Sequence, residues 1–145
     1  MINMANRKIA FIFPGQGSQY VGMGLDLYKN NKFSKDVFDC ADKILDKKIS
    51  EICFNGDEER LKQTVNTQPC LVAVALAGLE AFKSSCNITP AFVAGHSLGE
   101  YCALYAAGVM DIETTFKAIQ KRADLMQSCA AGGKMGAILN ASDVV

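Results

Sequence analysis

The sequence predicts an α/β fold: a parallel sheet flanked by helices, with a sharp strand-to-helix turn that presents a serine. Two segments carry that prediction. Residues 7–13 (Arg-Lys-Ile-Ala-Phe-Ile-Phe) form a short apolar run suited to a buried strand, and the run stops abruptly at Pro14-Gly15-Gln16-Gly17-Ser18-Gln19. Residues 91–94 form a second apolar run that feeds directly into Gly95-His96-Ser97-Leu98-Gly99 and then into a helical pattern. At 145 residues with 50% hydrophobic content, the chain has the length of one ordinary domain and enough apolar material for a core.

The elements follow the punctuation of the chain. After the loop at 14–19, Gly22 and Gly24 precede a short helix at residues 25–29. Residues 34–46 read as an amphipathic helix through Val37, Phe38, Ala41, Ile44 and Leu45. Asn55-Gly56-Asp57 is a turn, and residues 57–63 form a short helix whose charge run is a solvated face. Thr67 is placed to cap a long helix over 68–83, with Pro69 tolerated in its first turn. The body of that helix, 71–79, is apolar nearly all round and should be buried. Pro90 opens the second strand, and the turn after it leads into a helix over 98–107, where Ala103, Ala106, Ala107 and Gly108 allow close approach to the sheet. Asp111 caps a helix over 112–128 whose core face is Ile112, Phe116, Ile119, Ala123 and Met126. Gly132-Gly133 ends it, residues 135–139 read as a further strand, and Ser142 and Asp143 as caps of a following helix.

Composition excludes several classes of function. Fifteen basic and fifteen acidic side chains give zero formal charge, so there is no electrostatic footprint for nucleic acid or an anionic membrane. No segment reaches the roughly 18 uninterrupted apolar residues of a membrane span, and the N-terminus lacks the apolar core of a secretory signal. Six cysteines are spread without a C-x-x-C pair and the chain has a single histidine, which argues against a zinc site and for reduced thiols. Gly15-Gln16-Gly17 fails as a dinucleotide fingerprint because Tyr20 stands where the third glycine belongs, and no Gly-Lys-Ser/Thr follows for a phosphate loop.

The serine turn is the feature that names a reaction class. A serine forced into a strained turn at the end of a parallel strand projects its hydroxyl above the sheet, and side chains two residues before and after it would collide with backbone. Glycines stand at both positions, 95 and 99. The following helix aims its free N–H groups at the place where a tetrahedral oxyanion would form, and that of Leu98 is the natural first donor. The loop at 14–19 sits at the carboxyl edge of the sheet, where open α/β folds build their sites, and the main-chain N–H of Gln16 is placed to be the second donor. Gln19 has the plain reading of a solvated loop residue, and Gln68 that of an aid to the helix start. On a strand-to-helix turn adjacent side chains diverge, so His96 packs beside the turn and does not take the Ser97 proton. Arg122 reads either as a surface arginine laying its stem over the helix flank or as a guanidinium that receives a carboxylate through two parallel hydrogen bonds.

Phe13-Pro14-Gly15-Gln16-Gly17-Ser18-Gln19, Thr67-Gln68-Pro69, Gly95-His96-Ser97-Leu98-Gly99-Glu100 and Arg122-x-x-x-Met126-Gln127, in this order, resemble the malonyl-CoA:acyl carrier protein transacylases of type II fatty acid synthesis. The resemblance runs from about Lys8 to Leu139, and acyltransferase domains of polyketide and type I fatty acid synthases are similar too. It implies an acyltransferase with an α/β-hydrolase-like core, in which Ser97 is the nucleophile, the Gln16 and Leu98 amides form the oxyanion hole, and Arg122 binds the malonyl carboxylate. It implies malonyl-CoA and acyl carrier protein as partners, coenzyme A thioester as substrate, no metal or redox cofactor, and a cytoplasmic or organelle-matrix location. The family's general base is a histidine well downstream of residue 145. The chain is therefore expected to be an N-terminal portion, with residues 1–131 in the α/β domain, 132–145 entering a small ferredoxin-like subdomain, and a C-terminal half missing. Two other readings share these residues: a serine hydrolase, and a split half whose only activity is to associate with a complementing segment.

Overall fold

A computed structural model describes residues 8–129. Two strands, β1 (Ala10–Phe13) and β2 (Phe92–Gly95), pair in parallel with Ala10 opposite Phe92 and Phe13 opposite Gly95. Between them run α1 (Leu25–Asn30), α2 (Lys32–Leu45), α3 (Ile49–Asn55), α4 (Glu58–Lys62) and α5 (Thr64–Ser85); after β2 come α6 (Gly99–Ala106) and α7 (Ile112–Cys129). The first strand is shorter than the apolar run implied, and the second is displaced by one residue. The readings at Gly132-Gly133, 135–139, Ser142 and Asp143, and the boundary at 132, lie outside the described residues.

The centre of the molecule is α5, which packs on α2 and α7 and also touches α1, α3, α4 and α6. Its side chains explain this position: Cys70, Val72, Ala73, Leu76 and Ala77 are fully buried, as a helix apolar on every side must be. By length and composition α5 could cross a bilayer, yet it is the core helix of the surrounding bundle. On its flank α2 contributes Val37, Phe38 and Ala41, and the Phe38 ring meets that of Phe54 on α3 at 4.9 Å between centroids. The amphipathic reading of α2 therefore holds, whereas α3 has no counterpart in the sequence reading. Its Ile49, Ile52 and Cys53 are buried on too short a segment to show a helical period.

The start of α5 differs from expectation. The helix begins at Thr64, and Thr67 lies inside it with its hydroxyl donating to the carbonyls of Leu61 and Gln63. Local side-chain bonds back to the preceding turn replace the expected cap: the Asn66 side-chain amide also donates to Arg60 O at 2.7 Å. Pro69 consequently falls in the second turn, where it lacks the N–H that would satisfy the carbonyl of Val65. Two side chains supply that bond instead, Lys47 Nζ at 3.0 Å and Gln120 Nε2 at 3.4 Å. The expected cap of α7 is present, with Asp111 Oδ1 accepting from Thr114 N at 2.7 Å. Phe116, Ile119 and Ala123 are buried on its core face, but Met126, expected there too, is 43% exposed, with only its thioether turned to Gln68 of α5.

Candidate active site

The turn after β2 has the geometry its glycines require. Ser97 holds φ = 55°, left-handed for a residue with a side chain, a conformation that costs of order 1–3 kcal/mol and persists only where its surroundings impose it. The constraints are visible: His96 N donates to Phe13 O at 3.0 Å, Gly99 N to His96 O at 2.9 Å and Glu100 N to Ser97 O at 3.2 Å. A Cβ at Gly95 would run into the backbone of Gly99 and Glu100. One at Gly99 would meet the carbonyl of Phe13 and lie 2.7 Å from that of Pro14. Leu98, 1% exposed, plugs the turn into the core and leaves Ser97 at the surface.

The loop after β1 lies against this turn. Gly15 is buried at His96: a side chain there would meet the imidazole and stand 3.0 Å from the His96 carbonyl. Ser18 Oγ donates to Gly15 O at 3.1 Å, and Gln19 Oε1 accepts from Gly17 N at 2.8 Å, so Gln19 shapes the loop from within. Gln16 is exposed at its apex. Among the described residues, neither the Gln16 nor the Leu98 amide N–H has a hydrogen-bond acceptor. His96 is exposed along Gly15 and makes no hydrogen bond to Ser97, consistent with side chains diverging at such a turn.

Arg122 comes from α7 and completes the cluster. It is half-buried, and its two amino groups bridge two elements: Nη1 donates to Gln68 Oε1 at 2.6 Å and Nη2 to Ser97 Oγ at 2.9 Å. The guanidinium is therefore aimed at the serine hydroxyl. No described carboxylate pairs with it; the ion pairs of these residues are all lysine with Asp or Glu on other surfaces. Beside it runs an open groove formed by Tyr101, Ala118, Lys121, Leu125 and Met126. Gln68 is the residue that sequence reasoning undervalued. It is fully buried, with Nε2 directed at Met126 Sδ 3.2 Å away. Its only signal was its place in Thr67-Gln68-Pro69, which carries no chemistry until α5 and α7 are docked. Among the described residues no three of His, Cys, Asp and Glu gather as metal ligands.

The model of the acyl transferase domain matches residues 10–144 of the chain. The chain belongs to this acyl transferase family. Among its relatives, the malonyl CoA-acyl carrier protein transacylase of Bacillus subtilis (strain 168) is 49% identical over 134 residues, which is 91% of this chain and 42% of that protein. That of Synechocystis sp. is 45% identical over 91% of the chain and 44% of its own length. The acyl-carrier-protein S-malonyltransferase structure from Bartonella henselae superposes with a TM-score of 0.81 at 40% identity, covering 84% of this chain and 40% of the other. A type II PKS acyl-carrier protein in complex with its malonyl-transacylase gives 0.80 at 37% identity, with 84% and 40% covered. The chain thus spans about two fifths of the acyl transferases it matches, and it shares their α/β fold.

Proposed function

We propose that the protein carrying this chain transfers a malonyl group from malonyl-CoA to acyl carrier protein through an ester on Ser97. The observation that supports it most is the Arg122–Ser97 contact: a half-buried cation with no described carboxylate partner stands 2.9 Å from a strained serine hydroxyl. A substrate whose acyl group ends in a carboxylate fits that pair, since its charge meets the guanidinium while its thioester carbon meets Oγ. The names of the relatives point the same way.

In this reading Ser97 Oγ attacks the thioester carbon, and its proton passes to a base outside residues 8–129. The tetrahedral oxyanion is held by the Gln16 and Leu98 amides, both without another acceptor. Its collapse breaks the C–S bond and releases coenzyme A. The phosphopantetheine thiol of the carrier protein then attacks the acyl ester, and Ser97 leaves with its oxygen reprotonated. Exchange of one acyl group between two thiols is redox-neutral and draws on no further cofactor. The cytoplasm or an organelle matrix, where those thiols are reduced, is the compartment this reading implies. Incubation of the intact protein with malonyl-CoA, followed by peptide mass spectrometry, should place the malonyl mass on the Ser97 peptide. Ser97→Ala should abolish it, and label that persists in the variant would refute the nucleophile. Release of malonate without carrier protein at the same rate as transfer would instead mark a hydrolase.

A further inference from the structure

Gln68 is fully buried and polar, and among the described residues each hydrogen bond of its side chain goes to Arg122 or to the helix that carries it. Its Oε1 takes the 2.6 Å bond from Nη1, and its Nε2 points at the thioether of Met126, one turn beyond Arg122 on α7. The backbone that carries Gln68 is fixed as strongly. Pro69 follows it directly, and the Val65 carbonyl that Pro69 leaves free is held by Lys47 and Gln120, the latter also on α7. One turn of α5 is thus fastened to α7 at three places, and the guanidinium is held by one arm while the other reaches Ser97.

The chemical type of the anchor matters as much as its position. A glutamate at 68 would hold Nη1 with equal geometry but would cancel the charge of Arg122 and compete with any carboxylate brought to it. A glutamine accepts the same hydrogen bond and leaves the cation uncompensated. We propose that Gln68 is a positioning residue for anion recognition, the neutral acceptor that fixes Arg122 toward Ser97 while leaving its charge for the acyl carboxylate. This rests on the reading of Arg122 as the receptor for that carboxylate.

Gln68→Met and Gln68→Glu keep the buried volume and separate the two properties, removing the acceptor in one case and adding a charge in the other. In the intact protein, each variant would be tested for Ser97 acylation by malonyl-CoA and by acetyl-CoA, with thermal unfolding as the check on folding. Rotation of the Arg122 guanidinium would be followed by nitrogen-15 NMR. The malonyl-to-acetyl ratio of kcat/KM should fall about tenfold to a hundredfold in both variants, the span of one hydrogen bond to a charged group. Guanidinium rotation should be slow in the wild type and fast in Gln68→Met. Ratios equal to wild type in both variants, or rotation equally slow in Gln68→Met, would overturn the proposal. A wild-type protein that Ser97 chemistry never malonylates would refute the proposed function alone, because the rotation measurement still judges the anchor.

Discussion

At the scale of single residues, the candidate site is one strained serine bonded by a cation, in a turn against which the loop after β1 is packed. The left-handed Ser97 is tolerated because the glycines at 95 and 99 remove the atoms that would collide, and Leu98 locks the turn into the core. In the proposed reaction Arg122 supplies the selectivity. Arg122→Ala should lower acylation by malonyl-CoA far more than acylation by acetyl-CoA or propionyl-CoA, by about tenfold to a hundredfold in the ratio, because only the charged acyl group loses a partner. Parallel kcat/KM measurements decide it, and equal losses for charged and uncharged groups would make Arg122 a structural residue. Ser97, Gln16, Leu98 and Arg122 could all be singled out from the sequence as candidates. That Arg122 bonds Ser97 itself was not, because residues 25 apart meet only through the packing of α7 beside the turn.

At the scale of elements, α5 shows how a local rule is broken and repaired. Pro69 removes one helical hydrogen bond, and burial of Lys47 beside the orphaned carbonyl pushes its ammonium below the usual lysine range. Lys47→Met should therefore destabilise the fold by about 1 kcal/mol, the net worth of one hydrogen bond, because Gln120 still reaches the half-buried carbonyl. In a Pro69→Ala background, where the backbone N–H returns, the same substitution should cost less. A double-mutant cycle in urea measures the coupling, and additive effects would show that Lys47 acts elsewhere. On α6, burial first and the nearby Glu80 carboxylate second push the Tyr105 phenol from 10.0 up to about 12. The folded pKa lies above the unfolded one, so this contribution is complete below pH 10 and is lost as pH rises through about 12. Stability of Tyr105→Phe should fall less steeply than wild type over that window in alkaline denaturant titrations. Identical slopes would place the titrating group elsewhere.

At the scale of the whole molecule, the helices bury their apolar faces around α5, whereas the two-stranded sheet is covered incompletely. Ile12 is 77% exposed and Phe92 61%, on neighbouring parallel strands, and β1 has β2 as its one partner among the described residues. Both side chains point to the same face of the sheet, and an open apolar face beside unpaired strand edges favours association. Residues 1–145 expressed by themselves should self-associate, and Ile12→Lys combined with Phe92→Lys should shift the population toward monomer in size-exclusion chromatography with light scattering. A wild-type chain that runs as a monomer at all concentrations would show that this face does not associate.

The sequence by itself determined the parallel α/β class, the strand-to-helix turn with its serine, the burial of α5 and the cap of α7, because each is written in short-range pattern: apolar runs, glycines at two fixed offsets, an aspartate before a helical period. It did not determine where α5 begins, that α3 exists, or what Gln68 does. The start of α5 depends on side-chain bonds from Asn66 and Thr67 back to the carbonyls of Arg60 and Leu61, which no propensity or period writes; the other two depend on partners distant in the chain, since the packing of α2 and α5 shelters α3 and α7 brings Arg122 to Gln68. Local pattern fixes which residues can make a turn or a helix, but a buried polar side chain takes its role from the group that satisfies it, and only the tertiary structure supplies that group.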